Sequence, residues 1–275
     1  MSYKTDMHLH TYYSDGELSP TEVVKRAKKL KYDVIAITDH EVTTGVSEAI
    51  IAAEALEGIT VITGIELAGY EYFDDAVVNM HILGYHIDLE NHELKSVQNR
   101  AKQYRDDRNE KLIKVLSKIG YEMSMVELSE KNRGYIGRPD IARLMAEKGY
   151  VNNPREAFTP GKFLESTEAK SIPRYKLTVK QIIQAIKAAG GIAVLAHPGS
   201  IKRLGERGSK EFYQNLEHMI KTLKGYGLKG IECYHTEHSE EESLNFVALA
   251  EKYHLHITEG SDYHGDNFGG EDEFE

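Results

Sequence analysis

Short apolar runs bounded by turn residues recur at 3–9, 33–38, 60–65, 77–83, 191–196, 229–234 and 256–260, and each reads as a buried strand. Between them the apolar positions switch to three- and four-residue steps, the period of an amphipathic helix. Ser19, Pro20 and Glu22 supply an N-cap, a proline at the first helical position and a capping box ahead of Val23, Val24, Ala27 and Leu30. Thr178 with Gln181 opens a second helix that Gly190 and Gly191 close, and Ser239 with Glu242 opens a third. Seven strands alternating with helices predict βα units, a parallel sheet and a barrel-like α/β fold.

The alternation breaks between 89 and 172. Leu94, Val97, Ala101, Tyr104, Arg108, Leu112, Val115, Leu116 and Ile119 form one long amphipathic pattern stopped by Gly120, and a second helix follows from Pro139 to Gly149. The reading is a barrel domain from 1–88 and 173–267 with a helical insertion at 89–172. The acidic stretch 268–275 is expected to be disordered. No internal repeat, low-complexity tract or linker stands out.

The strand ends carry the chemistry. His8 and His10 lie at the end of the first strand, Asp39 and His40 after the second, and Glu66 at the end of the third. The fourth strand carries His81, the fifth ends at His197, the sixth meets His235 and the seventh runs into Asp262 and His264. In a parallel barrel each strand delivers a side chain to a common C-terminal rim. Residues i and i+2 share a face of a strand, so His8 with His10, and Asp262 with His264, can each chelate one ion. A lone His-x-His pair is more often an ordinary hydrogen-bonded pair. Two such pairs at rim positions, with Glu66, His81 and His197 beside them, make a metal cluster the simpler reading, because buried ionisable groups without ions would be uncompensated.

His86, His92, His218, His254 and His256 read as surface residues, and Asp6 and Asp39 as acceptors behind the ligands or structural groups rather than as ligands. His238 and Tyr12 are left unassigned, and Cys233 reads as a small core residue.

Composition narrows the partners. The chain has 275 residues, with 34 Lys and Arg against 44 Asp and Glu, for a formal charge of -10. That balance disfavours stable binding to duplex DNA or an anionic membrane, yet it does not oppose a phosphorylated substrate, since bound metal ions are locally positive. One cysteine forbids an intrachain disulfide and a thiolate metal cage and fits a reducing compartment. A cytoplasmic location is expected, because neither a signal sequence nor a membrane-spanning run is visible. Imidazole with carboxylate suits Mn, Fe or Zn better than Mg or Ca.

The segment DMHLHTYYSD at 6–15, AITDH at 36–40, GIEL around Glu66, HILGYHID from His81, AHPG at 196–199 and SDYH at 261–264 resemble the polymerase and histidinol phosphatase (PHP) family. The resemblance spans residues 3–265 and implies a distorted (βα)7 barrel, TIM-like, holding two or three divalent ions. It implies His8, His10, Glu66 and Asp262 on a first ion, Asp15, His40 and His264 on a second, and His81 and His197 on a third that Glu66 bridges to the first. The insertion, with GRPDIARLMAEKGYV at 137–151, looks like that of small bacterial phosphoesterases acting on nucleoside monophosphates, nucleoside 3′,5′-bisphosphates or short RNA 5′ ends. That subfamily usually has His where this chain has Asp140.

The expected activity is metal-dependent phosphoester hydrolysis. A hydroxide bridging the ions attacks phosphorus, and His235 or a metal-bound water protonates the leaving group. Arg138 is the expected phosphate clamp, with Arg174 and Lys162 as further candidates. The alternatives are a phosphatase for a non-nucleotide metabolite such as histidinol phosphate, and a catalytically silent metal-binding domain.

Overall fold

A computed structural model describes residues 3–74, 76–131, 134–173 and 176–266. Arg174 and the tail 268–275 lie outside the described residues. Strand β1 (Thr5–Leu9) leads to helix α1 (Pro20–Lys29), β2 (Val34–Ile37), α2 (Val46–Leu56), β3 (Thr60–Phe73) and β4 (Ala76–Tyr85). Helices α3 (His92–Lys118), α4 (Met125–Lys131), α5 (Arg138–Glu147) and α6 (Thr167–Lys170) follow, with two 3-10 turns between the last two. The chain then returns through β5 (Leu177–Thr178), α7 (Val179–Ala188), β6 (Ile192–Leu195), α8 (Lys210–Tyr226), β7 (Gly230–His235), α9 (Glu240–Lys252) and β8 (His256–Gly260).

The helix starts follow the capping chemistry. Ser19 with Glu22, Thr178 with Gln181 and Ser239 with Glu242 each form a capping box, satisfying amide donors that the first turn leaves open. Gly120, at φ 98°, turns the chain out of α3 in a conformation that a β-carbon would oppose.

The strands form one sheet in the order β1-β2-β3-β4-β6-β7-β8, with the two-residue β5 beside β3. An isolated bridge between Leu9 and Tyr263 brings the last strand round to the first, nearly closing the barrel. The expected all-parallel sheet is corrected at one strand: β4 is antiparallel to both β3 and β6. The third strand does not stop at 65 but continues to Phe73, and the turn before Ala76 is too short for the dozen or more residues of a parallel crossover. His81 still reaches the common rim. It sits two residues before Leu83, the partner of Glu66, on a strand running the opposite way.

Apolar packing is divided. Leu9, Val23, Val24, Ala27, Ile35 and Ile37 pack with Val46, Ala49 and Ala53 under α1 and α2. A larger cluster joins Ile65, Leu67 and Ile82 to α7, α8 and α9 through Ile182, Ile186, Phe212 and Phe246. The helical region keeps its own cluster, in which Leu112, Leu116, Leu128, Ile141 and Met145 pack together.

Candidate metal centre

The rim residues converge. His10, Asp15, His40 and His264 offer ligand atoms all within 4.8 Å of one another, as do His8, His10, Glu66 and Asp262, and His40, Glu66 and His81. His197 joins through Nε2, 3.1 Å from Glu66 Oε1. Glu66 is the hub: its Oε2 lies 3.2 Å from His8 Nε2, 3.3 Å from His10 Nε2 and 3.0 Å from His40 Nδ1, and its Oε1 lies 3.0 Å from His81 Nδ1. Asp262 Oδ1 lies 3.2 Å from His8 Nε2 and 3.1 Å from His10 Nε2. Across the cluster, His264 Nε2 lies 3.3 Å from Asp15 Oδ1. The side chains of all these residues are at least nine-tenths buried.

Hydrogen bonds behind the imidazoles fix which nitrogen faces inward. His8 Nδ1 donates to Glu232 Oε1 at 3.0 Å. His264 Nδ1 donates to the Asp262 carbonyl at 2.8 Å. The Ser200 hydroxyl donates to the His197 carbonyl, so it accepts from His197 Nδ1 at 2.7 Å. The Ser14 hydroxyl donates to Asp39 at 2.6 Å and lies 3.4 Å from His10 Nδ1. These four rings thus carry the proton on Nδ1 and turn an Nε2 lone pair into the cluster, the arrangement of a metal-ligating histidine, whereas His40 and His81 face Glu66 through Nδ1. Asp39 also accepts from the Thr11 amide and hydroxyl, both at 2.7 Å, which shapes the loop bearing Asp15. Asp6 accepts from the Ser261 amide and hydroxyl.

Glu232 was not among the candidates read from sequence. It is fully buried in β7, and its second oxygen accepts from the His197 amide at 2.7 Å. Its signal is an acid inside an apolar strand, tolerated only where partners neutralise it. Gly260 makes room for it: a β-carbon there would fall 2.4 Å from both Glu232 Oε1 and His8 Cβ. His197 and Asp262 adopt positive φ, 23° and 52°, sparsely populated conformations that cluster at functional sites.

Electrostatics bind the cluster together. Burial alone would raise the Glu66 and Asp262 carboxyls, but the neighbouring imidazoles, His8 foremost, outweigh it and hold both well below the ordinary range. Burial would depress the His8 imidazole, but Asp262, Glu66 and Glu232 lift it well above its usual value, and Glu66 likewise lifts His197. His8 Nε2, His10 Nε2, Asp15 Oδ1, Glu66 Oε2 and Asp262 Oδ1 are buried without a hydrogen-bond partner. Convergent lone pairs of this kind fit divalent ions, which would satisfy every one of them at once.

His235 differs. It stands at the end of β7 with Nε2 3.6 Å from Asp262 Oδ2, and its Nδ1 accepts from the Glu237 amide at 3.1 Å. The neutral ring therefore carries its proton on Nε2, toward the cluster, and presents a donor where the others present lone pairs.

Among the proposed substrate residues, Arg138 donates from Nη2 to the Leu164 carbonyl at 2.8 Å and to Glu165 at 2.5 Å, inside the helical region. These contacts hold the 3-10 segment around Leu164. Lys162 is exposed at the start of that turn. Asp140 accepts from the Gly137 amide at 2.7 Å and from Arg143 at 2.5 Å, and burial pushes it up to about 6.

His86, His92, His218, His254 and His256 are exposed. His238 sits behind the centre, between the Cys233 carbonyl and the Gly199 amide. Tyr12 packs on Tyr13.

Comparison with known proteins agrees with this geometry. The chain is 29% identical to a 5′-3′ exoribonuclease of Haemophilus influenzae, covering 96% of this chain and 91% of the other. It is 29% identical to a 3′,5′-nucleoside bisphosphate phosphatase of Chromobacterium violaceum, covering 97% and 89%. A solved structure from Bifidobacterium adolescentis, described as a candidate metal-dependent phosphoesterase, superposes with a TM-score of 0.80 at 28% identity, over 98% of this chain and 92% of the other. The PHP domain model matches residues 6–228, and the chain belongs to the PHP domain family.

Proposed function

We propose that the chain is a metal-dependent phosphoesterase that hydrolyses phosphate esters of small nucleotides, such as nucleoside monophosphates and 3′,5′-bisphosphates, or the 5′ end of short RNA. The observation that carries this reading is the convergence of buried, unpartnered imidazole and carboxylate lone pairs on one rim. His8, His10, Glu66 and Asp262 would hold one divalent ion. Asp15, His40 and His264 would hold a second, and His81 with His197 a third beside Glu66. The donor set favours Mn, Fe or Zn. Ions bound there would lower the pKa of a shared water toward neutrality and neutralise the phosphoryl oxygens during an in-line displacement.

The chain's own groups do the rest. Glu232, Ser200 and the Asp262 carbonyl hold the His8, His197 and His264 rings in one tautomer, so these three need no reorganisation as charge develops. His235 presents Nε2–H at the edge of the cluster and donates it to the leaving oxygen.

The deciding experiment measures release of phosphate or of nucleoside monophosphate by the Mn-loaded protein from a panel of AMP, a nucleoside 3′,5′-bisphosphate, 5′-phosphorylated short RNA and histidinol phosphate. Nucleotide or RNA turnover well above the histidinol phosphate rate is expected. A preference for histidinol phosphate would overturn the substrate class, and no release from any member would overturn the enzyme reading.

A further inference from the structure

Two loops of the centre are held from the helical insertion. Arg105, midway along α3, pairs through Nη1 with Glu41 Oε2, and the two side chains are only 4% and 13% exposed. Glu41 directly follows His40 and sits at φ 59°, a left-handed conformation uncommon for a residue with a long side chain. Its amide donates to the Glu66 carbonyl at 2.8 Å. The Arg105 guanidinium also lies 4.1 Å from the centre of the Tyr135 ring, which stacks on the His40 imidazole with centroids 5.6 Å apart. Helix α3 therefore grips His40 twice, through the residue after it and through the ring laid against it. In parallel, Arg143 of α5 donates to the Asp15 carbonyl at 3.1 Å.

His40 and Asp15 belong to the group with His10 and His264, and His40 also lies in the group with Glu66 and His81. The group of His8, His10, Glu66 and Asp262 is braced differently. Its orienting acids, Glu232 and Asp6, come from barrel strands. The Arg105 pair is also a poor device for stability alone. Its Nε and Nη2 are buried with no hydrogen-bond partner, and apolar side chains of similar volume commonly replace a buried ion pair without loss. A fixed charge kept under those conditions beside a strained backbone residue points to registration of His40.

We propose that Arg105 is a positioning residue through which the insertion sets the ion affinity of the His10, Asp15, His40 and His264 group, and leaves the His8, His10, Glu66 and Asp262 group to the barrel. The proposal rests on the metal-centre reading above.

The test uses chelator-stripped full-length protein titrated with Mn in equilibrium dialysis, with thermal melting in parallel. Loss of an orienting partner commonly costs 10- to 100-fold in metal affinity. Arg105→Met should weaken one ion by roughly that factor and leave the remaining affinity as in the parent. Arg105→Lys, which retains a cation for Glu41, should recover most of the loss. Glu41→Gln should reproduce Arg105→Met, and the double variant should be no worse than either alone, because both remove the same contact. Leu116→Ala, a cavity in the insertion's own core, should lower the melting temperature without changing the ion count. If Arg105→Met does not fold, Arg105→Lys and Glu41→Gln carry the same comparison. A parent protein that binds no Mn overturns the metal-centre reading. A loaded parent with unchanged binding in the Arg105 and Glu41 variants, or with every ion weakened equally, overturns this proposal alone.

Discussion

One carboxylate, Glu232, accepts from His8 Nδ1 at 3.0 Å with one oxygen and from the His197 backbone amide at 2.7 Å with the other. It thereby ties the first rim strand to the loop after β6 and sets the tautomer of a ring at the heart of the cluster.

Glu232→Ala should accordingly reduce Mn affinity by roughly 10- to 100-fold, the usual cost of losing a partner behind a metal-binding histidine. Elemental analysis after dialysis against a limiting Mn concentration reads the effect. Full ion content in a folded variant would show that His8 does not need this acid.

His235→Asn removes the Nε2–H without removing any of the convergent lone pairs. Turnover should fall by about 10²- to 10⁴-fold, the range for a positioned proton donor, with ion content unchanged. Loss of an ion in this variant would make His235 a ligand and contradict its assignment as a donor.

The metal-free protein should lose stability as the pH rises. The carboxylates around His8 and His197 raise both imidazoles above their ordinary value of 6.5. Their charged forms therefore contribute stability that is complete below that value and is lost as pH climbs through the raised folded values. Ions displace those protons, so loading should become more favourable along the same direction. Melting of stripped and Mn-loaded protein from about pH 6 to about pH 9 should show opposite slopes; parallel curves would refute the linkage.

Cys233 lies fully buried within β7, and burial raises its thiol to about 12. The thiolate is the reactive form, so native protein should not react with a thiol reagent at neutral pH, while denatured protein should release one equivalent. Rapid native labelling would show that β7 opens readily.

Much of the centre was legible because strand periodicity makes i and i+2 pairs share a face. His8 and His10 follow that rule at the end of β1, whereas Asp262 and His264 lie beyond β8 with Asp262 at φ 52°, so that pair was legible only together with the other rim residues. The exposed histidines were also separable, since they lacked a rim position. Three features were hidden for physical reasons. The extension of β3 through Leu67–Phe73 is interrupted by Glu66 and Glu71, so the run reads as a connection, and with it the antiparallel turn into β4 was lost. Glu232 sits in a strand where charge is normally excluded. Arg105 falls on a 27-residue helix rich in charged residues, where nothing in the periodicity distinguishes a buried guanidinium from a solvated one. Arg138, read from the GRP signal as a phosphate clamp, has its Nη2 on the Leu164 carbonyl and Glu165.

The Leu9 to Tyr263 bridge joins the first strand to residues beyond the last, and the same seam carries His8 and His10 on one side and Asp262 and His264 on the other. An ion gripping both sides would act as a clasp between the first and last strands of the barrel. During synthesis such a clasp cannot fasten until residue 264 has left the ribosome, so an ion held at this seam could be loaded only after the last rim residues are made. Clipping the chain a few residues short of that seam would then leave an open barrel without Asp262 and His264.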